Sequence, residues 1–219
     1  MRDAITIGVI GGTGHLGAAI ARRLARGGCQ VIIGSRSAER AHACAVDWGN
    51  GLTGTSNVAA AAASDIVIVT VPFASQEAAL IEIAPHLAGK IVVDTTVPLV
   101  PPKVTRVQLP PEGSAAARAQ RLLGEGVKTV SAFHNVAAHK LAADAPVECD
   151  VLVFGDDKAS RSEVVELARL MGLRGIHAGA LANSAAAEAL TSILIFINKT
   201  YRVDGAGIQI TGSLLEPGG

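Results

Sequence analysis

Apolar residues along the chain fall into short β-branched runs that alternate with stretches of helical period. Ile5 to Ile10 is one such run and ends in Gly11-Gly12; Leu16, Ile20 and Leu24 then recur one turn apart until Gly27-Gly28. The order is strand, glycine-rich turn, helix. Val31-Ile32-Ile33 supplies a second strand, and Ala38 to Trp48 reads as a helix of good formers closed by Gly49-Asn50-Gly51. A turn-rich stretch and an alanine run over 59–63 precede Asp65 to Val71, a continuous apolar strand closed by Pro72, of the kind that parallel sheets bury on both faces. A helix over about 75–87 feeds a further strand at Ile91-Val92-Val93. With right-handed crossovers this pattern predicts an α/β fold, a doubly wound (Rossmann) parallel sheet.

The second half is less regular. Val97 to Pro111 contains Pro98, Pro101, Pro102, Pro110 and Pro111, each of which removes a donor and fixes φ, so an irregular loop is expected there, a candidate lid or substrate loop. Beyond it the pattern predicts a helix near 114–123, a strand over 127–133, a short helix near 137–143 and a strand over 151–154. Ser160-x-x-Glu163 has the form of a capping box and is expected to open a helix with Val164, Leu167, Ala168 and Met171 on one face. Leu181 to Tyr201 reads as a long helix with Leu190, Ile193, Leu194 and Ile197 on one stripe. Its apolar stretch falls well short of the ~20 residues that span a bilayer, so a buried core helix is expected. Gly207-Ile208-Gln209-Ile210 is a candidate last edge strand. No repeat, linker or charge block divides the chain, so a dinucleotide-binding domain over 1–135 is expected to carry a smaller C-terminal α/β extension over 136–219 that packs on the sheet and completes the substrate pocket.

Composition narrows the function. With 219 residues and 49% hydrophobic, the chain has ample core for a globular protein. Nineteen basic residues balance 19 acidic ones, which leaves no net field to draw in nucleic acid or an anionic membrane surface. Cys29, Cys44 and Cys149 are an odd set at wide spacing and read as free thiols in a reducing compartment. His42, His86, His139 and His177 have no carboxylate or cysteine at ligand spacing, and Asp156-Asp157 reads as a helix entry, so no metal is expected. Met1-Arg2-Asp3 leads into strand-like sequence without the pattern of an export signal, and a cytoplasmic location is expected.

Gly12-x-Gly14-x-x-Gly17 lies between the first strand and the first helix, which is where such spacing acquires meaning. Gly12 permits the tight turn, Gly14 lets backbone approach a pyrophosphate, and Gly17 lets helix and strand pack closely. An NAD site would place Asp or Glu at the end of the second strand to bind the ribose 2'-hydroxyl. This strand instead ends Ile33-Gly34-Ser35-Arg36. A carboxylate would repel a 2'-phosphate, whereas Ser35 and the forked guanidinium of Arg36 attract one, with Arg40 one turn further on, so NADP is the expected cofactor.

Ligands in this fold lie beyond the carboxyl ends of the strands, near Thr70-Val71-Pro72-Phe73, Val97-Pro98 and His134-Asn135. Together with Gly11 to Gly17, Gly34-Ser35-Arg36, Ser131-Ala132-Phe133-His134, Gly155-Asp156-Asp157, Asn183-Ser184, Glu188-Ala189-Leu190-Thr191 and Gly207-Ile208, these segments resemble the coenzyme F420-dependent NADP reductases over nearly the whole length. The family passes a hydride between NADP(H) and a deazaflavin. The resemblance implies that Thr13, Gly14, His15, Leu16, Ser35, Arg36, Arg40, Val97 and Ala138 contact NADP, and that Val71, Pro72 and Phe73 pack near the nicotinamide ribose. It implies that His134 and the adjoining Asn135 and Val136, with Pro98, face coenzyme F420. The chain departs from the family at His15, where Asn is common, at Phe73, where Trp is, and at Asn135-Val136-Ala137, where Thr-Ile-Pro follows the histidine.

Such a reaction needs little from side chains. Holding the donor carbon about 3–3.5 Å from the acceptor in a dry apolar pocket supplies orientation and prevents loss of the hydride. His134 is a candidate catalytic hydrogen-bond donor rather than a required acid, and a histidine at a strand end also serves as a structural hydrogen-bonder. An NADPH-dependent reductase of a flavin, an imine or a small carbonyl compound would use the same dinucleotide half, and a non-catalytic NADP sensor would too. The single tyrosine, Tyr201, and the missing Tyr-x-x-x-Lys pair argue against a tyrosine-based carbonyl reductase. The apolar C-terminal helix suggests a homodimer.

Overall fold

The computed structural model describes residues 5–214, and Met1-Arg2-Asp3 lie outside them. Six short strands, β1 (Thr6–Ile10), β2 (Gln30–Ser35), β3 (Thr53–Ser56), β4 (Ile66–Val69), β5 (Ile91–Asp94) and β6 (Lys128–Ser131), form one sheet in the order β3-β2-β1-β4-β5-β6, all parallel. Helices α1 (His15–Arg26), α2 (Ala38–Trp48), α3 (Asn57–Ala62), α4 (Phe73–Ile83) and α5 (Ala115–Leu123) connect them. All four residues of β4 are buried, as the uninterrupted Ile-Val-Ile-Val sequence requires of a strand covered on both faces. The winding reverses between β1 and β4, so a crevice opens at their carboxyl ends.

The remaining chain forms α6 (Ala138–Ala142), β7 (Asp150–Val153), α7 (Lys158–Leu170), β8 (Arg174–His177) and α8 (Ser184–Tyr201). β7 and β8 pair in parallel, and an antiparallel bridge in which Ser131 and Phe154 exchange backbone hydrogen bonds of 2.8 and 2.9 Å fastens this second sheet to the edge of the first. One buried apolar cluster runs from Ile7 and Val9 through Phe133 to Val151, Val153 and Leu167, so the two parts share a core. Arg23 on α1 adds a polar fastening. Its guanidinium donates to the carbonyls of Leu141, Met171, Ala143 and Ala145 at 2.6–2.9 Å, which satisfies backbone acceptors where α6 and α7 end.

Several elements differ from expectation. β3 and β8 are additional strands with polar, glycine-containing sequences, Thr-Gly-Thr-Ser and Arg-Gly-Ile-His, held by pairing rather than by apolar content. α7 starts before Ser160: Asp157 is its N-cap and accepts from Ser160 N at 2.7 Å, so Ser160 lies inside the first turn. Val164, Leu167, Ala168 and Met171 are all buried, as expected. Residues 207–210 form no strand and touch β7 through Asp150 N to Ile208 O at 2.8 Å and Ile210 N to the Asp150 carboxylate at 2.6 Å. The helix at 184–201 is not a buried core helix. By length and composition the segment Leu181–Tyr201 is apolar enough to cross a membrane, yet its buried positions include Ser184, Glu188 and Ser192, while Ile193 and Phe196 stand 46% and 53% exposed. Of the predicted stripe only Leu194 is buried, because polar partners, described below, hold much of the inward face.

Replacing Arg23 by Met keeps the aliphatic stem and removes all four donors. The expected loss is about 2 kcal/mol of stability, near that of one charge-assisted hydrogen bond because water reaches part of the site. A urea midpoint unchanged from wild type would contradict this role.

Candidate active site

The turn after β1 is sewn to both neighbouring strand ends: Gly12 N donates to Val9 O at 3.2 Å and to Gly34 O at 2.9 Å. A Cβ at Gly12 would lie 2.7 Å from Ile33 Cγ2 and from Val9 O, and one at Gly17 would lie 2.5 Å from Thr70 Oγ1 and 2.8 Å from Gly12 Cα. Only hydrogen fits between α1 and the loop. Gly14 is the N-cap of α1, no side chain caps this helix and no acid occupies its first turn, so the amides of His15, Leu16 and Gly17 are available to an anion. Asn57, 4% exposed at the start of α3, accepts from Gly11 N at 3.3 Å and braces the loop from below. An asparagine just ahead of a run of alanines carries no sequence signal for this.

At the end of β2, the buried Ser35 hydroxyl accepts from Thr13 Oγ1 at 3.4 Å and from Ser37 N at 3.3 Å. Ser37 caps α2 by accepting from Arg40 N at 3.1 Å, which fixes Arg40 in the first turn. Arg36 and Arg40, both exposed, line one cavity of about 570 Å³ together with Thr13, Gly14, Ser35, Asn57, Thr70, Val71 and Pro72. Helix α4 forms the far wall and contributes Glu82, the one carboxylate of this lining. Seven of the expected residues therefore meet: Thr13, Gly14, Ser35, Arg36, Arg40, Val71 and Pro72. Gly12 and Gly17 are buried beneath them, and His15 and Leu16 begin α1. Phe73 lines a separate cavity of about 510 Å³, with the Arg118 guanidinium 5.2 Å from its ring centroid. Val97, Pro98 and Ala138 line neither cavity.

The chain leaves β6 through a left-handed residue, Phe133, with φ of +67° and its ring fully buried. That conformation costs roughly 1–2 kcal/mol for a residue with a Cβ, and burial of the ring offsets it. His134 follows, with Nε2 2.9 Å from Ser131 Oγ; the ring is buried against its own strand, and burial pushes its pKa down to about 4. The imidazole is neutral at physiological pH. Asn135 donates to Ala187 O at 2.9 Å and to Thr191 Oγ1 at 3.1 Å, Thr191 donates to His134 O at 3.1 Å, and Val136 is buried beside them.

Two buried acids lie next to this turn's supports, Asp94, which the sequence did not single out, and Glu188, which it named only as part of the family resemblance. Asp94, at the end of β5, accepts from Gln76 Nε2 at 2.5 Å and from Thr96 N at 2.8 Å, and burial raises its pKa. Glu188 accepts from Ala115 N at 2.6 Å and Ala116 N at 3.1 Å; burial above all, with a smaller push from Asp94, raises its pKa to about 8. His139 does find a carboxylate, Asp204 Oδ1 at 2.8 Å, in an exposed pair that sequence spacing could not reveal because 64 residues of folded chain intervene. Among the described residues, no three His, Cys, Asp or Glu side chains are grouped to hold a metal ion.

His134 and Glu188 act on opposite arms of the stability profile. Unfolded, His134 titrates near 6.5 but stays neutral in the fold down to about 4, so stability is lost as pH falls through that window. Glu188 ionises near 4.5 unfolded and near 8 folded, so stability is lost as pH rises through that window. Above pH 6.5 the Glu188 arm stands without the opposing one. Denaturant titrations at pH 6.5 and 8 are expected to show wild type weaker at pH 8 and Glu188→Gln with a flatter dependence; equal slopes would contradict the assignment.

A family model described as NADP oxidoreductase, coenzyme F420-dependent, matches residues 6–98. The chain is 38% identical over 219 aligned positions to the F420-dependent NADP reductase of Methanocaldococcus jannaschii, covering 94% of this chain and 97% of that protein. It is 39% identical to the F420-dependent NADP reductase of Methanothermobacter thermautotrophicus, covering 94% of each. A crystal structure from Arthrobacter sp. FB24, assigned as an F420-dependent NADP reductase, superposes with a TM-score of 0.81 at 26% identity over 95% of this chain and all of that one. These relatives match over nearly the whole of the chain, and the chain belongs to the F420-dependent NADP reductase family.

Proposed function

We propose that this protein is an NADP-dependent oxidoreductase that transfers a hydride between NADP(H) and coenzyme F420. The observation that carries the reading is the cavity at the β1–β4 crevice, in a chain whose similarity to these reductases extends over both of its parts. The uncapped first turn of α1 receives the pyrophosphate, while the Ser35 hydroxyl and the Arg36 and Arg40 guanidiniums receive the 2'-phosphate. Val71 and Pro72 bound the nicotinamide end with Phe73 next to them in sequence, and the family resemblance adds Val97 and Ala138, which do not line the cavity, to the NADP contacts; Pro98 and the turn at His134, Asn135 and Val136 face the deazaflavin. Bound together, the two coenzymes supply hydride donor and acceptor, and one proton accompanies reduction of the deazaflavin. His134 is buried and neutral, so its part is to position the turn through Ser131, and the proton comes from solvent.

The same reading makes the protein a soluble cytoplasmic homodimer with neither nucleic acid nor membrane as partner. The exposed apolar side chains Ile193 and Phe196 on α8 are the surface offered to the second copy. Its support is that the opposite face of α8 is already bonded to its own chain. Sedimentation at micromolar concentration is expected to give the dimer mass, and a monomer throughout would refute this part.

Purified protein mixed with NADPH and either F420 or a flavin, followed by nicotinamide absorbance, is expected to turn over with F420. Turnover with flavin alone, or with neither, would overturn the proposal. Arg36→Ala is expected to weaken NADP binding by roughly 10–100-fold, the effect of losing a charge-assisted pair, and to leave NAD binding within about twofold. An unchanged NADP/NAD preference would remove Arg36 from the site.

A further inference from the structure

The buried face of α8 is polar, and its contacts reach three loops at the substrate end of the fold. Ser184, Ala187, Glu188, Thr191 and Ser192 follow one another at helical spacing on that face, and all but the half-buried Thr191 are at most 3% exposed. Ser184 Oγ donates to Ser114 Oγ at 2.9 Å, and the Glu188 carboxyl accepts the first two amides of α5. Ser114 itself accepts from Ala117 N at 2.9 Å, so the amides of residues 115–117 are all satisfied, two of them by a side chain more than seventy positions away. One turn along, Ala187 O and Thr191 Oγ1 hold Asn135, and Thr191 holds His134 O. Ser192 Oγ donates to Arg106 O, at 3.3 Å, in the proline-rich loop.

The turn at 133–135 needs such support. Phe133 sits in a left-handed conformation that its own side chain disfavours, and the hydrogen bonds from α8 are what fix the backbone just beyond it. The position of α8 along its axis is in turn set where Glu188 meets the start of α5, because a carboxyl bonded to two adjacent amides admits little sliding. We propose that Glu188 is a positioning residue for the deazaflavin: through α8 it keeps the α5 entry and the His134–Asn135 turn in register. The proposal rests on the reading above that this turn faces F420. The dinucleotide cavity, on the glycine-loop side, contains no residue of α8 or α5 and lies outside the linkage.

Glu188→Gln keeps the shape but accepts only one of the two amides at a time. Its KM for F420 is expected to rise about tenfold, the effect of one net hydrogen bond, with NADPH affinity by fluorescence titration within twofold of wild type. Thr191→Val, which removes two of the three hydrogen bonds between α8 and the turn and leaves the α5 cap intact, is expected to raise the same KM. The double variant is expected to fall short of the product of the two single effects, since both act through one linkage. Parallel losses for both coenzymes, or effects of the two substitutions that multiply, would overturn the proposal.

Hydrogen exchange on the protein alone gives a readout independent of F420 chemistry. Glu188→Gln is expected to lose amide protection both at 115–117 and at 133–136. Loss confined to 115–117 would refute the linkage even if F420 is the substrate. Loss at both, with no F420 turnover by wild type, would retain the linkage and refute the functional reading.

Discussion

The helix after the first strand rests on the glycine loop with no room for a side chain between them, and the dinucleotide half of the molecule follows from that contact. A Cβ at Gly17 would fall within 2.8 Å of backbone in the loop. Because α1 is seated so low, its uncapped amides open directly into the β1–β4 crevice, where the helix dipole favours an anion. The same turn is tied to Gly34 on β2, so the end of that strand is carried to the crevice as well, bringing Ser35 and Arg36 with it. The proposed pyrophosphate and 2'-phosphate contacts are thus two consequences of one close approach.

The other half is organised by buried hydrogen bonds. A strained turn at Phe133 leaves the sheet and is caught by α8, and α8 is caught by the start of α5. Burial of an acid in such a place costs stability and raises the Glu188 pKa to about 8, and the two amides that its carboxyl accepts offset part of that cost. Of the large apolar side chains of α8, Ile193 and Phe196 are turned outward, which is the arrangement a subunit contact would use.

Much of the first half was legible in the sequence because its signals are local. Ala38 to Trp48 and the apolar strands carry their periodicity within a few residues, and the spacing of Gly12, Gly14 and Gly17 means the same thing wherever a strand precedes and a helix follows. What escaped depended on distant partners. β3 and β8 are strands because neighbours pair with them; Ser160 looks like a cap until Asp157 is seen to occupy that place; Asn57 matters because Gly11 comes to it. The burial of α8 shows the limit most clearly. Period and hydropathy pointed its leucines and isoleucines inward, but Glu188, Ser184 and Thr191 had partners on α5 and after β6 that no local pattern reveals. His134 was found at the right strand end, and only its surroundings show that the ring turns back to Ser131.

If both coenzymes are held against one another as proposed, the hydrogen leaves one ring and arrives on the other without meeting water. NADPH carrying deuterium at the transferred position of nicotinamide C4, turned over with F420 in ordinary water, tests this most directly. The account predicts the label in the reduced deazaflavin. Reduced deazaflavin without deuterium, when the same stereospecifically labelled NADPH has become unlabelled NADP, would contradict direct transfer and with it the arrangement of the site.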